Sequence, residues 1–144
     1  MDIRSGTPRS RTELIDIVTD WLAAWSRHDL PGVLALMSPD AFFESWNGAA
    51  VRGRGELERA WRRWFDDDPD FQFTTEEMFA DAQAQKVLLR WTLQWKSPEP
   101  AHRGRQEVRR GVDVIHIDNG LIAATYCYSR STVIIDGRRV RLSS

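Results

Sequence analysis

Gly111-Val112-Asp113-Val114-Ile115-His116-Ile117-Asp118-Asn119-Gly120-Leu121-Ile122 is the stretch on which the fold turns. Its first seven residues are rich in β-branched side chains and read as an extended strand, in which successive side chains point to opposite faces. Asp118-Asn119-Gly120 is a compact turn signal, and a second apolar run starts directly after it, so the two arms form an antiparallel hairpin. The same two-residue period extends the first arm back to Gln106 and the second forward to Ile135. Further strands are predicted over Phe71 to Phe79 and Lys86 to Trp95, joined by a turn at Asp81 to Gln83. Ser97 to Gly104, with two prolines and a glycine, reads as a longer loop, and Asp136-Gly137 turns a last extension that pairs Val140 and Leu142 back.

The first half of the chain has a different period. Ser10-Arg11-Thr12-Glu13 has capping-box spacing, and Leu14, Ile17, Val18, Trp21, Leu22 and Trp25 follow at helical intervals, predicting a helix over Thr12 to Arg27. Asp29 caps a shorter helix with Pro31 in its first turn, closed by a turn at Ser38-Pro39-Asp40. A short strand is read over Ala41 to Trp46. Leu57, Ala60, Trp61, Trp64 and Phe65 then mark a third helix, which Asp66-Asp67-Asp68-Pro69 ends. Helices followed by a run of antiparallel strands define an α+β fold, with the helices packed on one face of a curved sheet.

With 144 residues the chain fits a single domain, read as 12–144 behind a flexible N-terminal segment 1–11. Twenty basic residues against twenty-one acidic ones create no overall field for nucleic acid or an anionic membrane, and neither is expected as a partner. The longest apolar runs fall far below the ~18 residues of a membrane span. The N-terminus lacks an apolar core like that of a secretory signal, and the lone Cys127 fits a reducing compartment, so a cytoplasmic location is expected. Eighteen arginines against two lysines match the skew of a GC-rich bacterial genome. No pair of histidines has metal-ligand spacing, and no metal or cofactor is expected.

The order of these pieces resembles the nuclear transport factor 2-like superfamily, a cone-shaped α+β barrel that includes ketosteroid isomerase and the SnoaL-like polyketide cyclases. The carriers are His28 to Met37, Pro39-Asp40-Ala41-Phe42-Phe43-Glu44, Val51-Arg52-Gly53-Arg54 before a helix, and Gly111 to Ile122. The resemblance implies a small-molecule enzyme of SnoaL-like type: an isomerase, cyclase, dehydratase or hydrolase acting on an apolar cyclic substrate. The alternative is a non-catalytic ligand-binding or association module of the same fold. It also implies that Asp113 takes the oxyanion-hole Asp position of the isomerases, while their base position carries Ser45 and their Tyr position carries Trp21. In the epoxide hydrolases, Arg90 matches the family arginine, but Thr92 and Cys127 stand where the two Asp would be.

Asp113 and Arg90 are therefore the candidate catalytic residues, expected to form a charge-assisted pair that keeps Asp113 ionised. Trp21, Trp25, Ser45, Trp61, Thr92, Ile115, Thr125 and Cys127 are the candidate ligand-binding residues. If Asp113 faces inward, parity sends Glu107, Arg109, Ile115 and Ile117 inward with it and His116 outward. Cys127, with Thr125 and Ser129 as inferred neighbours, has nothing to lower its pKa and reads as a quiet thiol.

Lys86 to Trp95 carries Val87, Leu89, Trp91, Leu93 and Trp95 on one face and Leu88, Arg90, Thr92 and Gln94 on the other. Either the apolar row is monomer core, or, as the resemblance implies, Arg90 and Thr92 enter the cone and the row forms a sheet-to-sheet homodimer contact. The second reading is adopted, since an exposed row containing two Trp needs a partner.

Because Ser45 cannot act as a carboxylate base, the chain is expected to show no rapid turnover of a 5-ene-3-ketosteroid in a spectrophotometric assay. Rapid conjugation of that steroid would overturn the assignment of Ser45 to the base position.

Overall fold

The computed structural model describes residues 7–68 and 70–142. Helix α1, Arg11–Ser26, opens on the capping box: Glu13 N donates to Ser10 Oγ at 3.1 Å, and Ser10 N donates to Glu13 Oε1 at 2.8 Å. Asp29 caps α2, Leu30–Ala35, by accepting from Gly32 N at 3.0 Å. Helix α3 spans Arg54–Asp67 and buries Leu57 and Trp61. Of the N-terminal segment read as flexible, residues 1–6 lie outside the described residues, as does Pro69; Arg9 N donates to Gln85 Oε1 at 3.0 Å.

Eight strands complete the fold: β1 Met37–Glu44, β2 Ala50–Arg52, β3 Gln72–Asp81, β4 Lys86–Lys96, β5 Gln106–Asp118, β6 Leu121–Ser129, β7 Thr132–Ile135 and β8 Arg138–Arg141. The sheet runs β2-β1-β6-β5-β4-β3, with β7 joining β5 and β8 joining β7. Among the described residues only β1–β6 is parallel; the other pairings are antiparallel. The helices pack on the inner face, so the α+β architecture is the expected one. No described helix is long and apolar enough to cross a membrane.

Strand β2 was not predicted and β1 ends at Glu44, short of Trp46; two further boundaries differ in ways that shape the sheet. Ser38-Pro39-Asp40 is part of β1 and not a turn, because the β1–β6 register breaks between Met37 and Phe42, where proline's missing N–H costs no ladder bond. Leu121 to Ile135 is two strands. Strand β6 pairs with Gly111 to Asp118, and the chain then bends at Arg130, whose N–H donates to Arg110 O at 2.9 Å, so that β7 pairs with Glu107 and Val108.

The orientation of β4 is the main correction. Val87, Leu89, Trp91 and Leu93 face inward and are all at most 2% exposed, packed in the core with Leu14, Val18, Trp21 and Leu57. Arg90 lies on the outer face, where its Nε is 3.1 Å from Glu77 Oε1, with 47% of its side chain exposed. Thr92 shares that face. Energy decides the direction: burying each large apolar side chain is favourable by about 1.5–3 kcal/mol, whereas an unpaired guanidinium turned inward costs several kcal/mol. The apolar row is therefore core, and it does not form the dimer contact assigned to it.

Gly111 fixes how β4 and β5 meet. It stands opposite Trp91, and a methyl group on it would lie 2.1 Å from Tyr128 O and 2.4 Å from Trp91 Cζ2. The indole thus lies across bare backbone, a close approach that any side chain would block. Gly111→Ala is expected to lower stability by about 2–3 kcal/mol through overpacking, read as a reduced urea midpoint at unchanged slope. A loss below about 0.5 kcal/mol would show that Trp91 is free to move away.

Candidate functional site

A cavity of about 560 Å³ opens between the helices and the inner face of the sheet. All seven tryptophans of the chain line it: Trp21 and Trp25 from α1, Trp61 and Trp64 from α3, Trp91 and Trp95 from β4, and Trp46 from the β1–β2 connection. Periodicity places the first six, since i, i+4 on α1, i, i+3 on α3 and i, i+4 on β4 each repeat one face. The rings interlock edge to face, with Trp25 centred 4.9 Å from Trp61 and 5.9 Å from Trp21. Such contacts hold large rigid groups in fixed positions and leave space between them.

Asp113 supplies the carboxylate of this cavity. It is 8% exposed, and Trp91 Nε1 donates to its Oδ1 at 3.0 Å. That bond follows from the register: Trp91 faces Gly111, and the flat indole reaches along β5 to the next inward residue. Cys127 stands directly across from Asp113 on β6. Burial pushes the Asp113 carboxyl up to about 6, against the opposing effects of Cys127 and the Trp91 indole. The Cys127 thiol is held well above its ordinary value by burial first and by the Asp113 charge second, so it is a neutral neighbour and not a nucleophile.

A second buried carboxylate behaves oppositely. Glu107 is fully buried, and burial works to raise its pKa, but hydrogen bonds from Arg109, Trp95 and Ser97 outweigh burial and hold it below the usual carboxylate range. Arg109 Nε lies 2.8 Å from Glu107 Oε2, and its Nη2 lies 3.1 Å from Glu99 Oε2. The guanidinium also stacks 4.7 Å from the centre of the Trp46 ring. This network ties two walls of the cavity, Trp46 and the Pro98-Glu99-Pro100 segment, to β5.

Of the residues singled out in the sequence, Trp21, Trp25, Ser45, Trp61, Asp113 and Cys127 line the cavity together. Ser45 Oγ is hydrogen-bonded to Asn47 Oδ1. Ile115 and Thr125 face inward but are fully buried outside the cavity lining. Arg90 and Thr92 are on the opposite face of the sheet, so no Arg90–Asp113 pair exists and Asp113 has no charged partner holding it ionised. The resemblance had placed them one residue out of step, and a one-residue slip exchanges the faces of a strand. Trp46, Trp64, Trp91, Trp95 and Glu99 line the cavity but were not among the candidates; the helical stripe shared with Trp61 points to Trp64, and reading β4 by the parity of Asp113 across the Leu89–Asp113 pairing would have found Trp91 and Trp95. Among the described residues no group of three His, Cys, Asp or Glu side chains could hold a metal ion.

The fold that frames this cavity has known counterparts. A protein of unknown function with a cystatin-like fold from Methylobium petroleophilum is 19% identical with a TM-score of 0.69, covering 85% of this chain and 79% of that one. A nuclear transport factor 2-like protein of unknown function from Burkholderia pseudomallei is 20% identical with a TM-score of 0.68, covering 81% and 90%. An LEH-like epoxide hydrolase of M. tuberculosis is 22% identical with a TM-score of 0.69, covering 83% and 84%. At these identities the likeness is one of fold. No curated protein matches the sequence significantly. The sequence model of the SnoaL-like domain matches residues 18–125, from the middle of α1 through the cavity-bearing strands as far as β6. The chain therefore belongs to the SnoaL-like domain family.

Proposed function

We propose that this protein is a small-molecule enzyme in which Asp113 alone moves a proton on an apolar, ring-containing substrate held among the tryptophans. The observation that carries the reading is the Asp113 carboxyl, buried in the cavity wall and raised to about 6. A group titrating near neutrality is present in both forms, so it accepts a proton readily and returns it readily. In the simplest cycle the carboxylate takes a proton from a carbon beside a carbonyl, the C–H electron pair moves to the carbonyl oxygen, and the acid returns the proton at a second atom. Trp91 Nε1–H stays bonded to the carboxylate throughout and steadies its charge. A cavity of about 560 Å³ suits a molecule of a few fused rings. The two-carboxylate-plus-arginine chemistry of epoxide opening is disfavoured, with Arg90 on the outer face and Cys127 in the wall.

The competing reading, a binding module without chemistry, is separated by hydrogen–deuterium exchange. Wild-type protein incubated with a panel of cyclic ketones in heavy water is expected to exchange the protons beside the carbonyl of a bound ketone, and Asp113→Asn to lose about 100-fold or more of that rate. Saturable ketone binding with no exchange would favour the module.

Stability carries the same signature. Asp113 has an ordinary value of 3.8 when unfolded and about 6 when folded. Between these values the native state retains a proton that the unfolded state has released, so wild-type stability falls as pH rises from about 4 to about 6 and is flat above. The accumulated penalty is roughly 3 kcal/mol. Asp113→Asn, which keeps an acceptor for Trp91, is expected to gain stability relative to wild type by about that much between about pH 4 and about pH 8 in urea titrations. A difference that does not change with pH would place the Asp113 carboxyl in its ordinary range.

We infer further that a second copy covers the outer face of the sheet, and a lone buried free thiol supports a reducing cytoplasm as its setting. Phe79 and Tyr128 are 55% and 54% exposed there, beside half-buried Leu88, Val112, Val114 and Tyr126. Sedimentation at micromolar concentration is expected to give a dimer that Tyr128→Glu weakens about tenfold or more. A wild-type monomer would remove this inference.

A further inference from the structure

The charges around the cavity are of one sign. Asp113 and Glu99 line it, and among the described residues no Lys, Arg or His does. Asp113 is buried with only an indole N–H and a thiol beside it, an arrangement that leaves a carboxylate without a counter-charge. The buried cation of the same strand cannot serve, because Arg109 gives its Nε to Glu107 and its Nη2 to Glu107 and Glu99. Glu99, Glu107 and Arg109 together contribute two negative charges and one positive at that wall, so the surplus there is negative as well.

The tryptophans act in the same direction. The face of an indole ring is electron-rich and attracts a cation more strongly than the face of phenylalanine or tyrosine does. The protein itself uses this attraction once: the Arg109 guanidinium lies over Trp46 and lies 5.8 Å from the Trp95 ring centre. A wall of seven such rings with a single buried carboxylate is the composition that replaces the hydration shell of an organic cation. A plain apolar ligand would use the rings and leave Asp113 without a partner.

We propose that the cavity selects an organic cation, a protonated or quaternary amine carried on an apolar ring-containing body, with the positive charge seated beside Asp113. This rests on the reading of the cavity as a small-molecule site and narrows it to one substrate class. The amine supplies the counter-charge to Asp113, the indoles hold its methyl or methylene groups, and Glu99 adds attraction on the way in. Cationic head and reacting carbon then belong to one molecule, with the head fixing its orientation.

The test uses two probes of the same shape, phenyltrimethylammonium and its neutral isostere tert-butylbenzene, titrated into the full chain and followed by tryptophan fluorescence. An ordinary apolar pocket prefers the neutral probe, because the cation must shed its water. Here the cation is expected to bind at least about tenfold more tightly than tert-butylbenzene. In Asp113→Asn that preference should fall by about tenfold or more, while tert-butylbenzene binding stays within about threefold of wild type and so reports an intact cavity. Equal or tighter binding of tert-butylbenzene by wild type would overturn the cation proposal and leave the small-molecule site standing, as would a cation preference unchanged in Asp113→Asn. Failure of both probes to bind saturably would overturn the site itself, and the proposal with it.

Discussion

The contact of Trp91 with the bare backbone of Gly111 organises this molecule. It lets the indole lie flat across β5, close enough for Nε1 to reach Asp113. Without a glycine at that position the ring would have to lift away, and a lifted ring would both fill the cavity and release the carboxylate. One absent side chain therefore links sheet packing to the chemistry of the site. The constraint also explains why β4 turns its apolar row inward: Trp91 has a place prepared for it on β5 that no alternating polar residue could use.

That the cavity stays open among so many large apolar side chains follows from their stiffness and from the braces behind them. Indoles have two rotatable bonds and close in fixed edge-to-face geometries, so a ring of them resists the collapse that leucines would undergo. Trp46, which comes from an irregular segment, is held by the Arg109 guanidinium stacked on it, and Arg109 is held by Glu107. The Pro98-Glu99-Pro100 wall is fixed through the same arginine. A buried ion pair of this kind contributes little net stability, but removing either member leaves an uncompensated charge, which makes the arrangement specific.

Much of the fold was legible in the sequence because its signals are local. Ser10 with Glu13, Asp29 before Leu30, and Asp118-Asn119-Gly120 each act within a few residues and did so in the structure. Asp113 on the cavity side, with Glu107 and Arg109 on its face, followed from strand parity once one member was placed. The orientation of β4 was not legible in that way. Alternation tells which residues share a face, but not which face the rest of the chain will cover, and the correspondence that put Arg90 inside carried no information on the cost of burying it. The sequence reading makes Trp46 the last residue of a strand, where parity sets it on the face opposite Ser45; the strand ends at Glu44, and the turn that follows brings Trp46 to Trp91 and Trp95.

The two buried carboxylates of β5 show how one strand holds two acids in opposite states. Glu107 receives donors from Arg109, Trp95 and Ser97 and is held ionised, so its proton affinity is too low for proton transfer at neutral pH. Asp113, six residues further along the same face, has an indole and a neutral thiol in place of a guanidinium, and its proton affinity rises into the working range. A resident arginine at Asp113 would stabilise the fold and occupy the carboxylate that a ligand is proposed to meet. The sequence places its buried arginine beside Glu107 and leaves Asp113 under-compensated at a cost of roughly 3 kcal/mol, a sacrifice of stability that supports the role proposed for Asp113.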